Sequence, residues 1–132
     1  MTWVLAAALY LAFTAAPQDR AAAAQAEPEV SLEELMSAAM TEYTGCLKAT
    51  ARRLEPSGEP AASVAESAFT ACAKERGDVL LVVRVHAIRR QGISEDRAPS
   101  VARGAMTQVD DALKREVILE VTEQRAAKAS SR

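Results

Sequence analysis

The chain has 132 residues, a formal net charge of −2 and 49% hydrophobic residues, many of them alanine. This length allows one domain, and the small net charge gives no global attraction to nucleic acid or to an anionic membrane. Tyr43 and Phe69 are the only aromatic residues after position 13, so the chain has no platform for stacking bases or sugars.

The first 26 residues have the pattern of a secretory signal peptide. Residues 3–16 form an apolar run. As a helix this run would be about 21 Å long, which is shorter than the ~30 Å hydrocarbon core of a membrane. The small residues that follow predict cleavage after Ala24 or Ala26, leaving a single domain at 27–132. The n-region has no Lys or Arg, and the alternative is an uncleaved segment that holds the protein at the envelope membrane.

A first amphipathic helix, A, is predicted over 31–54. Ser31 and Glu34 form an S-x-x-E capping box, and apolar residues then recur every three or four positions. Gly45 interrupts this helix at a cost of roughly 1 kcal/mol relative to alanine. We interpret the glycine as room for the close approach of a partner helix beside Cys46.

A turn and a second helix, B, follow. Pro56, Gly58 and Pro60 end helix A, because two prolines and a glycine so close together do not continue a helix. Helix B then begins near Pro60. Gly77 and Asp78 mark a weak point at which helix B could split in two, with Asp78 as the cap of the second part, or the helix could run straight through.

The segment 79–85, VLLVVRV, is ambiguous because its β-branched residues would also suit a buried strand. The chain after the signal peptide has no second run of this kind with which a strand could pair. We therefore predict a helix over 78–91, ended by Gln91-Gly92.

The last helix, C, is predicted over 100–125, with a tail at 126–132 that frays. Its apolar stripe repeats every four residues and is broadened by three further residues: Val101, Ala105, Val109, Leu113, Val117 and Val121, then Met106, Ala112 and Ile118. The short connections make neighbouring helices antiparallel. The predicted fold is all-α, a small antiparallel bundle of about three helices.

The two cysteines are predicted to form a disulfide, Cys46–Cys72, that joins helices A and B. An exported chain reaches an oxidising compartment, where two thiols usually pair. Both cysteines lie on apolar stripes at nearly equal distance from the turn at Gly58. A catalytic dithiol is the alternative, although such pairs are typically close in sequence as C-x-x-C.

No catalytic, cofactor-binding or metal-binding constellation is predicted. His86 is the only histidine, and the disulfide removes both cysteines as metal ligands. We expect His86 to be a partly exposed residue on a helix. Met36, Met40 and Met106 lie on apolar stripes and are interpreted as core residues, although methionine can also line an adaptable binding groove.

Charge is unevenly distributed along the chain. Residues 27–66 carry eight acids against three bases, whereas residues 74–103 carry seven bases against four acids. The arginine pairs at 52–53 and 89–90 could bind phosphate or an acidic partner. The alternative is ordinary solvated helix faces, on which acids of helix A complement bases of the B segment.

These features predict a small, non-enzymatic exported protein, periplasmic or secreted, that works as an interaction or accessory protein of the bacterial periplasm. We expect a protein partner and no nucleic acid. The rival hypothesis is a carrier of a small ligand or metal that uses a pocket near His86. An exposed apolar groove would favour the first, and an enclosed polar cavity the second.

Overall fold

The computed structural model describes residues 30–131, so the predicted signal peptide at 1–26 lies outside the described range. The described chain is all-α, which confirms the predicted fold class. Its helices are α1 (Leu32–Leu54), α2 (Ala61–Ala71), α3 (Ala73–Gln91) and α4 (Ala98–Ser130), with a 3₁₀ turn at Glu55–Ser57. No helix in residues 30–131 is long and apolar enough to cross a membrane.

Helix α1 begins at the capping box that the sequence predicts. The Glu34 amide donates to Ser31 Oγ at 3.1 Å, and the Ser31 amide donates to Glu34 Oε2 at 2.8 Å. The bond that the Ser31 amide donates to the ionised carboxylate lowers the pKa of Glu34. Two of the amides left free at the start of the helix are thereby satisfied, and helix A is confirmed within one residue.

Of the two possibilities at Gly77, the structure shows the continuous helix, and helix B instead divides into two segments at Cys72. Cys72 leaves the helical conformation at φ −97° and ψ 24°, whereas Gly77 lies inside α3. Asp78 pairs with Lys74 at 2.9 Å and caps no helix. The small propensity cost of one glycine is outweighed because Val79, two residues on, is buried in the core. The predicted helix over 78–91 is confirmed as part of α3.

The helices form an up-down-up bundle. An ion pair of 3.0 Å joins Glu33, at the start of α1, to Arg90, at the end of α3, so these two helices are antiparallel. Lys48 and Glu116 form a pair of 2.7 Å between the second halves of α1 and α4, which run parallel. Helices α2 and α3 together form the descending arm, and both contact α1 and α4.

The core lies along the axis between these helices. Its buried residues are Tyr43, Leu47, Ala51, Val64, Ala65, Ala68, Cys72, Val79, Met106, Val117 and Val121. Two residues of the predicted α4 stripe, Ala105 and Ala112, are exposed, while Ala98 and Ala102 are buried. A strict four-residue row is inclined to the helix axis, so it leaves the buried face after a few turns.

Helix α4 ends at Ser130, beyond the predicted end at 125. Its last turns are held by Glu55, which is only 5% exposed. The Arg125 guanidinium donates to the Glu55 carbonyl at 3.0 Å, and Lys128 pairs with the Glu55 carboxylate. A buried carboxylate requires such partners, and one of the two, Lys128, lies in the tail that was predicted to fray.

The close approach of a partner helix that was predicted at Gly45 does not occur. The residue is exposed, and a Cβ placed on it would meet nothing within 4 Å. Its neighbour Cys46 reaches the partner helix through its own side chain. The glycine is therefore an uncompensated weakness in α1.

Gly45→Ala is expected to raise the free energy of unfolding by about 0.5–1 kcal/mol, because alanine has the higher helix propensity and fewer unfolded conformations. Urea unfolding followed by circular dichroism measures the change. Gly92→Ala is the control, since Gly92 has φ 65° and alanine there is strained by about 1–2 kcal/mol. A loss of stability in Gly45→Ala would contradict the absence of neighbours.

Candidate functional site

The predicted disulfide is present between Cys46 and Cys72, with a Cα–Cα distance of 6.0 Å. Cys72 is fully buried, and Thr50 Oγ1 lies 3.8 Å from its sulfur. The carboxylate of Glu75 lies within 4.8 Å of both sulfur atoms. Because the sulfurs are bonded to each other, they offer no thiolate to a metal, and the bond fixes α1 against the junction of α2 and α3.

A partly buried polar network connects α1, α3 and α4 near the middle of the bundle. The Tyr43 hydroxyl donates to Asp110 Oδ1 at 2.8 Å, and Arg76 Nε donates to Asp110 Oδ2 at 2.8 Å. Burial, reinforced by the bond to Asp110, raises the pKa of Tyr43, so the phenol stays protonated. The ring also meets Phe69 edge to face, with centroids 6.2 Å apart. Each polar group of the network has a hydrogen-bond partner within the protein, and the network holds the three helices together.

Half of the basic residues in the segments 27–66 and 74–103 take part in internal ion pairs. Arg52 pairs with Glu120 at 2.9 Å, and Arg90 pairs with Glu33 at 3.0 Å, so one arginine of each predicted pair is engaged. The expected complementarity between acids of α1 and bases of α3 thus holds for Glu33. Within residues 30–131, four arginines of the basic segment form no ion pair: Arg84, Arg89, Arg97 and Arg103.

Two of these arginines border an open groove between α3 and α4, here called the basic groove. The groove has an apolar floor, formed by Leu80, Leu81, Pro99 and Ala102, and two basic residues, Arg84 and Arg103. Leu81 on this floor is 60% exposed. The groove has a volume of about 320 Å³, enough for several side chains.

A second open groove lies between α1 and α3, here called the methionine groove. It is lined by Leu32, Glu33, Met36, Ser37, Met40 and His86, and its volume is about 470 Å³. His86 is half-buried, as the sequence predicts. The structure thus places His86, the only histidine in the sequence, in one groove with Met36 and Met40, which were predicted to be core residues.

The two grooves lie on opposite flanks of α3. Leu81 and His86 are five residues apart, which turns their side chains about 140° from each other around the helix axis. One groove can therefore be altered by substitution while the other is left intact.

The chain matches no protein-family model, no curated protein and no solved structure. Function is therefore inferred from the two grooves and from the chemistry of the residues that line them.

The sequence gives only weak signals for either groove. The excess of bases over 74–103 indicates a basic surface but not its position. Met36 and Met40 are spaced i, i+4, which predicts one helix face, and nothing in the sequence links that face to His86. Such signals become a site only once the helices have been placed side by side.

Proposed function

We propose that the protein is a non-enzymatic interaction protein of the bacterial periplasm that binds an acidic, amphipathic helix of a partner protein in the basic groove. The observation that carries this proposal is the exposed Leu81 beside Arg84 and Arg103, two arginines that have no ion-pair partner among residues 30–131. Leu81 lies on the apolar floor of the groove beside Leu80 and Pro99, so a partner helix that covers this floor would remove apolar surface from water.

The shape of the basic groove supports a helical partner. It runs between two antiparallel helices and is open to solvent, and an apolar helix face in such a groove is a common mode of peptide recognition. Acidic residues on the rim of that helix would pair with Arg84 and Arg103, whose planar guanidinium groups bind carboxylates with two hydrogen bonds each.

The proposed compartment is supported by the disulfide and by the predicted signal peptide. Disulfides persist in oxidising compartments and are rare in the reducing cytosol. A small, alanine-rich domain also benefits most from a covalent link of this kind. In this proposal the disulfide and the internal ion pairs supply a rigid frame, and the basic groove supplies the binding surface.

The test is site-specific photo-crosslinking of the full chain in the periplasm of its host. A crosslinker at position 81 is expected to trap a partner that a crosslinker at position 119 does not trap. Leu119 is the matched control, since it is 56% exposed and lines neither groove. The intact mass of the same protein reports whether it begins at Gln25 or Glu27, as cleavage after Ala24 or Ala26 requires.

Charge reversal completes the test. The double substitution Arg84→Glu/Arg103→Glu is expected to remove the crosslink, because it places like charges opposite the acidic helix. The control Arg53→Glu/Arg115→Glu reverses two exposed arginines outside the groove and is expected to retain it. The same products from positions 81 and 119, or crosslinking that survives charge reversal in the groove, would refute the proposal.

A further inference from the structure

The soft and borderline metal ligands of the described chain are distributed unevenly. Cys46 and Cys72 are bonded to each other, and Met106 is fully buried in the core. The remaining three, Met36, Met40 and His86, all line the methionine groove. All three residues are partly exposed, although Met40 also packs against the core.

The register of α1 against α3 places these residues at matching heights. The Glu33–Arg90 ion pair of 3.0 Å fixes the two helices at one end, and the Cys46–Cys72 bond fixes them further along. Three residues beyond Glu33 is Met36, and four residues before Arg90 is His86, so the two side chains are nearly level. Met40 lies one turn further on the same face of α1, about 6 Å along the axis.

The donor set selects a particular class of cation. Two thioethers and one imidazole form a soft, neutral set that favours Cu(I), whereas hard cations require oxygen ligands. Methionine has three rotatable bonds, so both sulfur atoms can turn toward an ion beside His86. In an oxidising compartment thiols are consumed as disulfides, and thioethers and imidazoles are the soft ligands that remain.

We propose that Met36 Sδ, Met40 Sδ and one imidazole nitrogen of His86 bind a single Cu(I) ion in the methionine groove. The ligands donate lone pairs, and no electron is transferred and no disulfide is broken. Glu33 lies at the edge of the groove but is already paired with Arg90. This site revises the sequence-based expectation of no metal, and it is independent of the helix-binding function proposed for the opposite flank of α3.

Ag(I), a redox-inert probe of the same softness, tests the site on the purified protein with its disulfide intact. Calorimetry in chloride-free buffer is expected to give one ion per chain. The methyl resonances of Met36 and Met40 should shift in NMR spectra, while that of the buried Met106 should not. Anaerobic competition with a Cu(I) chelator then measures the affinity for Cu(I) itself.

Matched substitutions assign the ligands. Met36→Leu/Met40→Leu preserves side-chain volume and is expected to weaken binding by about tenfold or more, as is His86→Gln, since even losses outside the ligand shell cost that much. Met106→Leu, a substitution of the buried core methionine outside the groove, is expected to bind Ag(I) as the unaltered protein does. No saturable Ag(I) binding, or unchanged affinity in folded Met36→Leu/Met40→Leu as judged by circular dichroism, would overturn the proposal.

Discussion

The double replacement Cys46→Ala/Cys72→Ala is expected to lower the free energy of unfolding by ~2–5 kcal/mol while the helices remain formed. The bond closes a loop between residues 26 apart in sequence, so its removal returns conformational freedom mainly to the unfolded chain. The helices should persist because the core residues that surround the buried Cys72 still pack together. Urea unfolding, followed by far-ultraviolet circular dichroism, measures both quantities.

Reduction of the unaltered protein is the control for this experiment. It breaks the bond but keeps both sulfur atoms in place, so it separates the effect of the covalent link from the loss of buried side-chain volume at Cys72. A thiol assay on denatured, unreduced protein is expected to find no free thiol. Two reactive thiols in that assay, or a double variant as stable as the unaltered protein, would show that the bond does not stabilise the native protein.

Val83→Pro is expected to lower the free energy of unfolding by about 3 kcal/mol or more. Val83 lies in the middle of α3 and packs against the core. Proline there removes the amide that bonds to the carbonyl four residues earlier, and its ring collides with that carbonyl. The bend would fall between the two grooves and would separate α3 from both of its neighbours. Thermal or urea unfolding measures the loss.

Ala61→Pro is the matched control for the proline experiment. Ala61 is the first residue of α2 and follows Pro60, whose ψ of 141° suits a residue before proline. A proline at this position removes no helical hydrogen bond, so stability is expected to change by less than about 1 kcal/mol. If Val83→Pro were tolerated as well as Ala61→Pro, the helical assignment of the VLLVVRV segment would be wrong.

Local signals in the sequence were sufficient to predict α1 and the disulfide. The reciprocal bonds of Ser31 and Glu34 depend on residues three apart, so the start of α1 follows from a short motif. The register of Cys46 and Cys72 follows from the turn at Gly58, which has the left-handed φ of 77° that glycine adopts readily. The helical state of 79–85 follows from the lack, in the sequence after the predicted signal peptide, of a second β-branched run with which a strand could pair.

The errors arose where tertiary contacts outweigh local preference. The break in helix B is at Cys72, where the chain is tied to α1, and the glycine that resembled a weak point is accommodated within α3. The last turns of α4 are formed because Arg125 and Lys128 reach the buried Glu55, far away in sequence. Helix propensity depends on residue type alone and includes neither of these contacts.

The two grooves could not be predicted from the sequence, because their lining depends on how the helices are placed against each other. Each is lined by residues of two helices, and its composition depends on how those helices are rotated about their axes. The i, i+4 spacing of Met36 and Met40 gives one half of the methionine groove, but His86 joins it only through the register of α1 and α3. Leu81 is exposed because α4 covers the neighbouring stripe of α3, which no property of residues 79–85 alone reveals.

The disulfide also sets an order of assembly. It joins residues 26 apart, whereas the links between α1 and α4 join residues that are far more distant in sequence, as in the Arg52–Glu120 ion pair with a separation of 68. Closing a short loop costs less entropy than closing a long one, so α1 and α2 are expected to meet first as the chain emerges from its N-terminal end. Oxidation would then lock this hairpin covalently before α4 exists. Helix α4 is therefore added last to a preformed template, and a chain cut short before Ala98 would leave a closed hairpin with its apolar face uncovered.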